Sequence, residues 1–424
     1  MFFFEDFSVL DTLILVTIPI FFAAYFIKNP KLFIVSVLFI NLTLSLFSFY
    51  VIELGGYITE LGQFSFRTNN FILFSLYILF FAASFVFLSN YVFENNFKTT
   101  IDKNKISIYS PLNFVIGSII VFLVLLEYAS LLIYGIPVLE GQNKVDVVFD
   151  NKIISLIGST GTYISVFCGI IFTVSKKRFF LVIFILHFLF CILAAQKFSA
   201  LINNMVFFLS PILVMQNSLR INLRTISIFI IFLAVVIGVF YNAYNVDNAF
   251  TRELELPTWL AMGYRAFFLS AHAQWAVFEI YFSQGLPKID LGNFINFHKF
   301  LVDQLHPMDT SSSLDKGVTF GMIYPTYLLY TLPMFVHPIA VIIFAALMAY
   351  VFEAYIWAVK SNRIILACIV SVILNILIRI FITGNFSLLM SGTTIFAIVL
   401  ILIYMLIQKI NLKSRKWGSG GEYS

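Results

Sequence analysis

Apolar residues recur along this chain in long runs, and the short segments between the runs carry most of the charge. Runs of about 20 apolar residues have the length that an α-helix needs to cross the hydrocarbon core of a bilayer. The pattern therefore predicts an all-α polytopic membrane protein with about 11 transmembrane helices. The predicted spans are residues 8–27, 32–52, 71–91, 112–134, 153–175, 179–195, 200–217, 225–243, 338–359, 364–383 and 386–408.

Lysine and arginine residues in the short loops give the expected orientation, because such residues are retained on the cytoplasmic face. Six basic clusters fall on one side if the N-terminus is outside, and they hold 16 of the 26 basic residues. We expect the N-terminus to be periplasmic and the C-terminus cytoplasmic. The clusters are Lys28 and Lys31; Lys98, Lys103 and Lys105; Lys176, Lys177 and Arg178; Arg220 and Arg224; Lys360 and Arg363; and Lys409, Lys413, Arg415 and Lys416.

This topology divides the chain into four parts. They are membrane helices 1–8 in residues 1–243, a large and partly helical periplasmic loop in residues 244–336, membrane helices 9–11 in residues 337–410, and a cytoplasmic tail in residues 411–424.

Parity leaves open whether the chain crosses the bilayer once or three times after the eighth span. Three crossings would bring residues 257–284 and 318–336 into the bilayer. The first of these segments carries Arg265 and Glu279, and each buried charge would cost about 2.5–3.5 kcal/mol. Pro325 breaks the second segment. One crossing is therefore preferred, and the large loop stays outside.

The composition excludes a soluble protein. Apolar residues make up 61% of the chain and charged residues 11%, whereas about 25% of a soluble domain is charged. The start has no positively charged segment before the first apolar run, so we expect the first helix to remain as a span. Cys168, Cys191 and Cys368 lie in apolar runs, where we expect small buried side chains and no disulfide.

The large loop contains a regular polar stripe. Residues 257–284 are predicted to form one long helix, because a proline opens the segment and glycine and proline follow it. Arg265, His272 and Glu279 are spaced seven residues apart, so they share one face of that helix. Arg265 and Glu279 then lie about 21 Å apart. The stripe can line a groove, but it cannot form an active site alone. The alternative is an interfacial helix with its polar face in water.

Four basic residues near the outer leaflet are not explained by the cytoplasmic clusters. They are Lys197, Arg252, Arg265 and Arg379. Their alternative role is snorkelling towards the headgroups. Cations that converge from several helices would suit a lipid-linked diphosphate, because guanidinium groups bind phosphate oxygens in pairs and stabilise a departing diphosphate. The loop residues Trp259 and Trp275 offer flat apolar faces on which sugar rings can stack, although aromatic belts at the headgroups look the same in sequence.

Other chemistry finds little support in the sequence. There is no His-Glu-x-x-His pair, no Cys-x-x-Cys pair, no phosphate-binding glycine-rich loop and no Gly-x-Ser-x-Gly motif. The five histidines show no metal-ligand spacing, so we expect no metal and no cofactor. Glu127 lies inside the predicted fourth span, where it is a candidate partner for one of the buried cations.

The layout of spans and loop resembles the Wzy-type polymerases of O-antigen and capsule repeat units. The segment Ala-Ala-Gln-Lys-Phe-Ser at 194–199 looks like the small-residue turn in which that family carries Arg or Lys. The spacing from Arg252 to Gly263 and the segment 317–324 are also similar to features of the family's periplasmic loop.

The resemblance implies a glycosyltransferase at the periplasmic face of the bacterial inner membrane, which moves a growing glycan from undecaprenyl diphosphate to a new lipid-linked repeat unit. It implies that Lys197, Arg252, Arg265 and Arg379 hold the diphosphates. A loop carboxylate or His272 would accept the proton of the acceptor hydroxyl, and Glu279 is the first choice.

The expected partners are undecaprenyl-diphosphate-linked glycans and the lipid bilayer, with a chain-length regulator and a flippase of the same pathway as further candidates; no nucleic acid is expected. A flippase for lipid-linked oligosaccharides would share the membrane and the basic cavity, but it should show two similar halves. None are seen in the sequence. An O-antigen ligase would share the layout and differ in its acceptor.

Overall fold

The computed structural model describes residues 9–58, 63–92, 111–137, 161–175, 177–194, 198–216, 271–283, 321–392 and 397–402, with residues 238, 285, 300–301, 303–304 and 394–395. Helices dominate this part of the chain. They are α1 (Val9–Lys28), α2 (Ser36–Glu53), α3 (Phe71–Val92), α4 (Pro111–Tyr134), α5 (Gly161–Ser175), α6 (Arg178–Leu193), α7 (Phe198–Gln216), α8 (His272–Ser283), α9 (Tyr324–Thr331), α10 (His337–Lys360) and α11 (Ile364–Thr383).

Short elements connect some of these helices. Three 3₁₀ turns cover Pro30–Val35, Met334–Val336 and Phe386–Met390. After α2, the strands β1 (Gly56–Ile58) and β2 (Gln63–Ser65) pair antiparallel. This β-hairpin is the one sheet in the described part of the chain.

Six stretches of the described chain are long and apolar enough to cross a membrane, and they correspond to α1, the Pro30–Val35 turn with α2, α3, α4, the Met334–Val336 turn with α10, and α11. Three shorter apolar helices, α5, α6 and α7, accompany them. Many large apolar side chains of these helices face outward, as lipid-facing side chains do. The protein is therefore an α-helical membrane protein.

The predicted number of 11 spans is not confirmed. Nine predicted spans coincide with described helices, although the first eight residues of the span 153–175 lie outside the described residues. The span 225–243 lies outside them apart from residue 238. The span 386–408 begins with a 3₁₀ turn instead of an α-helix, and residues 403–408 are not among those described.

The helices pack in two groups. In the first group, α10 packs against α3 and α11, and α1 packs against α2 and α3. In the second group, α5 packs against α6 and α7, and α4 packs against α6. The two groups meet where α5 contacts α11, and where α7 contacts α10 and the Pro30–Val35 turn.

The bundle has two chemically different ends. At the Lys31 end, where α1 and α10 finish and α2 and α11 begin, lie Lys28, Lys31, Lys360 and Arg363. The Glu53 end is the opposite one, where α2 and α11 finish and α3 and α10 begin. These four of the 16 basic residues that the sequence analysis assigned to one side therefore lie at one end of the bundle.

Candidate functional site

The Glu53 end contains the described parts of the predicted large loop. Helix α8 contacts α2 and α9, and α9 contacts α3, α10 and α11. At about 1.5 Å per residue, the eight residues of α9 rise only about 12 Å, too little to cross a bilayer of about 30 Å. The described part of the segment 318–336 therefore contains no helix long enough to span the bilayer.

A hydrogen-bonded loop closes the end of α2. The carboxylate of Glu53 is buried and accepts bonds from the backbone N–H groups of Thr68 (3.1 Å) and Asn69 (2.9 Å) and from the Thr68 hydroxyl. Nearby, the Arg67 guanidinium lies 3.6 Å from Asp11 on α1. These contacts fix the chain that follows the β-hairpin against the first two helices.

The first seven residues of helix α8 are buried in the bundle. Every residue from His272 to Phe278 is buried, and the backbone N–H of Ala271 donates to the Ser48 hydroxyl on α2 at 3.0 Å. The ring of Phe278 packs edge-on against Phe49 at 5.8 Å. The described half of the predicted helix 257–284 is therefore not an interfacial helix with one face in water.

Three predicted site residues lie on α8, and they do not converge on one point. His272 and Glu279 are the first and eighth residues of the helix, about 10.5 Å apart along its axis. Glu279 is half-buried and accepts a hydrogen bond from Ser283 at 3.2 Å. Trp275 is 1% exposed, and Phe66 packs edge-on against its ring at 5.6 Å. The protein covers the Trp275 ring in this structure. Its predicted role in sugar stacking stays a prediction.

Arg379 lies in the last turns of α11. This helix is buried along most of its length, and Arg379 is the single exposed residue among its 20. The helix ends at Gly384, whose φ of 65° is the left-handed conformation that glycine adopts without strain. No described side chain pairs with the guanidinium within ion-pair distance. The arrangement places an accessible cation at the Glu53 end.

A tyrosine–histidine pair was missed by the sequence analysis. The Tyr77 hydroxyl donates to Nδ1 of His337 at 2.5 Å, and Nε2 of the same ring donates to the Leu332 carbonyl at 3.0 Å. Both ring nitrogens are thus used, which fixes the tautomer. The pair ties α3 to the start of α10. No sequence signal could have found it, because the partners are 260 positions apart.

The three tyrosines of α9 form a buried aromatic layer. Tyr324 stacks on Phe344 of α10 at 4.5 Å. Burial raises the pKa of Tyr324 to about 12 and also raises the pKa values of Tyr327 and Tyr330. Since all three phenols stay protonated near neutral pH, we expect them to pack and donate hydrogen bonds and not to act as bases.

The remaining predicted site residues, Lys197, Arg252, Trp259 and Arg265, lie outside the described residues. Glu127 was expected to pair with a buried cation. Its described partner is His187, whose Nδ1 lies 2.8 Å from the carboxylate. Among the described residues, no group of three His, Cys, Asp or Glu side chains is arranged to hold a metal.

Comparison with known proteins reaches only one part of the chain. Residues 299–398 match the model of DUF6418, described as a family of unknown function. The match includes α9, α10 and α11, and therefore Arg379 and His337. No curated protein and no solved structure matches the chain.

Proposed function

We propose that this protein is a glycosyltransferase that polymerises oligosaccharide repeat units carried on undecaprenyl diphosphate, at the periplasmic face of a bacterial inner membrane. The observation that carries the proposal is Arg379, the one exposed residue of a mostly buried membrane helix. A charge within a span is costly and generally marks a binding or transport pathway. A guanidinium at headgroup depth suits the diphosphate of a lipid-linked donor.

The proposed orientation places the Lys31 end in the cytoplasm, because basic residues are retained there. The Glu53 end is then periplasmic, with the N-terminus outside and the C-terminus inside. The first seven residues of α8 and most of α9 are buried, and these described helices are the proposed fixed wall of the site. Lys197, Arg252 and Arg265 are the proposed additional cations.

The proposed reaction moves the growing glycan from its diphosphate to a hydroxyl of the acceptor repeat unit. The C–O bond to the diphosphate breaks, the new glycosidic bond forms, and the hydroxyl proton passes to a base. Arg379 stabilises the departing diphosphate. Glu279 is the proposed base, because it is the half-buried carboxylate of α8 and accepts a described hydrogen bond from Ser283 alone.

A gel of surface glycan from a deletion strain tests the class of function. We expect one repeat unit on the lipid core without the gene, and full-length polymer when the gene is restored. Loss of all repeats would indicate a flippase instead, and accumulation of lipid-linked polymer would indicate a ligase. Either result would overturn the proposal.

Complementation with point variants tests the site. We expect Arg379→Ala to lower polymer formation about 10- to 100-fold, because a charge-assisted hydrogen bond contributes about 1.5–3 kcal/mol, and Arg379→Lys to retain part of the activity. Arg67→Ala is the matched control, since Arg67 lies at the same end and faces Asp11. If Ala substitutions at Arg252, Arg265 and Arg379 each leave polymer length and amount unchanged, the assignment is wrong.

The base has its own test. We expect Glu279→Gln to slow polymerisation about 10²- to 10⁴-fold, the usual contribution of a positioned base. Asp303→Asn is the control, because Asp303 is an exposed carboxylate of the same outer segment. Equal activity of the two variants would remove Glu279 from the mechanism while leaving the role of Arg379 intact.

A further inference from the structure

A second polar cluster lies inside the other group of helices, away from the candidate site. It consists of Glu127 from α4, His187 and Cys191 from α6, and Asn204 from α7. The first three side chains are completely buried and Asn204 is 6% exposed. His187 is the tenth residue of the 16-residue helix α6, so the cluster is near the middle of that helix. Polar groups at such depth are costly and generally functional.

The hydrogen bonds of the cluster define the state of the histidine ring. Nδ1 of His187 donates to the Glu127 carboxylate at 2.8 Å. Nε2 lies 3.4 Å from the Asn204 amide and 3.7 Å from the Cys191 sulfur. With its proton on Nδ1, the imidazole directs the lone pair of Nε2 towards the amide and the thiol. A carboxylate that orients a histidine in this way is the common support of metal-bound imidazoles.

The spacing of the three groups around Nε2 fits one face of a metal site. The Asn204 amide also lies 3.4 Å from the Cys191 sulfur. His187 Nε2, the Cys191 sulfur and the Asn204 amide therefore form a triangle with edges of 3.4, 3.4 and 3.7 Å. Bonds of about 2.0–2.3 Å at tetrahedral angles separate neighbouring donors by about 3.4–3.6 Å. We propose that His187 Nε2, the Cys191 thiolate and the Asn204 amide oxygen bind a transition-metal ion of the zinc class, with Glu127 holding the imidazole.

Two further observations support this site. A Cβ atom placed on Gly161, the first residue of α5, would lie 3.0 Å from both His187 Nε2 and Asn204 Oδ1, so glycine keeps space free beside the donors. Oε2 of Glu127 is buried and has no hydrogen-bond partner among the described residues. Metal binding needs the amide turned so that its oxygen faces the sulfur, and the two amide orientations have the same shape.

The charges of the site balance. A divalent ion together with the Cys191 thiolate and the Glu127 carboxylate has no net charge, and the thiol proton leaves to solvent. Neutrality matters because an uncompensated charge inside a bundle costs several kcal/mol. The site contains only two side chains of the usual metal-binding types in contact with the ion, and the third donor is an amide. The competing interpretation is a cluster held by hydrogen bonds alone.

Metal analysis of the purified full chain tests the proposal. The protein is produced with Zn²⁺ in the growth medium, and free metal is removed after purification. We expect elemental mass spectrometry to find about one Zn²⁺ per chain, and less than a tenth of that in Cys191→Ser. Cys168→Ser and Cys368→Ser are matched controls, because both residues are free and buried, on α5 and α11. Size-exclusion chromatography shows that each variant is folded. Absence of Zn²⁺ from the unaltered protein overturns the proposal.

Replacement of Zn²⁺ by Co²⁺ provides a readout that a purely structural role would not change. We expect a near-ultraviolet sulfur-to-cobalt charge-transfer band that disappears in Cys191→Ser and remains in Cys168→Ser. We also expect Glu127→Gln to keep the band while lowering Zn²⁺ affinity about 10- to 100-fold, as loss of such a supporting carboxylate does. An equal band in Cys191→Ser would exclude the site. None of these results depends on the proposed polymerase activity.

Discussion

Lys31 and Arg379 lie at opposite ends of the first helix group, and their charges have different surroundings. At the Lys31 end, the Lys31 ammonium donates to the buried Glu353 carboxylate at 3.2 Å, and the Ser89 hydroxyl donates to the same oxygen at 2.5 Å. At the Glu53 end, Arg379 has an exposed side chain and no described ion-pair partner. The Lys31–Glu353 pair is therefore part of the helix packing, whereas the charge of Arg379 is available for a ligand.

Trp275 tests how firmly the outer segment belongs to the bundle. We expect Trp275→Ala to lower the free energy of unfolding by about 3–5 kcal/mol, because a buried aromatic side chain is lost and a cavity remains. The measurement is denaturation of the purified protein in detergent.

Trp357→Ala is the matched control at the other end of the bundle. Trp357 is only partly buried and lies under the Arg363 guanidinium at 4.4 Å, so its replacement should cost less. A larger loss of stability in Trp357→Ala than in Trp275→Ala would contradict the account of α8 as a fixed wall.

The ion pair at the Lys31 end should be the next most sensitive feature. We expect Lys31→Met to cost about 2–3 kcal/mol, below the 3–5 kcal/mol typical of a broken buried pair, because the Lys31 side chain is 26% exposed and solvent screens part of the interaction.

The double variant Lys31→Met/Glu353→Gln sharpens this test. If the two charges stabilise each other, the double variant should lose less stability than the sum of the single variants. If the losses of the two single variants simply add up in the double variant, Lys31 and Glu353 do not stabilise each other. The contrast between Lys31 and Arg379 would then disappear.

The membrane helices could be predicted from the sequence because apolar runs report directly on lipid contact. The predicted spans 71–91 and 364–383 match α3 and α11 to within a residue. The sequence also predicted that four basic residues share one end of the bundle, because lysine and arginine residues in short loops are retained on one side of the membrane. They are Lys28, Lys31, Lys360 and Arg363.

Long-range pairing could not be predicted in the same way. Glu127 was a candidate partner for one of the buried cations, yet its described partner is His187, and Tyr77 pairs with His337. Both contacts depend on how helices rotate against each other, and an apolar run surrounding a polar residue does not specify that rotation. For the same reason, the stripe of His272 and Glu279 predicted a shared face of the helix but not its burial.

Ser48 provides a smaller test of the contact between α2 and α8. We expect Ser48→Ala to cost about 1–2 kcal/mol, because the buried backbone N–H of Ala271 loses its acceptor. Hydrogen exchange of residues 271–283 should become faster. Ser75→Ala is the control, since the Ser75 hydroxyl donates to the Phe71 carbonyl of its own helix. Equal exchange in both variants would show that this bond does not hold α8 in place.

Arg379→Leu should have the smallest effect on stability and should still lower polymer formation. The Arg379 guanidinium has no described ion-pair partner whose loss would destabilise the fold, so we expect the free energy of unfolding to change by no more than about 0.5 kcal/mol. Polymer formation should fall as it does in Arg379→Ala. Unfolding and complementation are to be measured on the same variant, because only their combination separates binding from packing. A loss of stability comparable to that of Lys31→Met would mean that Arg379 is part of the packing. Lys31 and Arg379 would then both have a structural role.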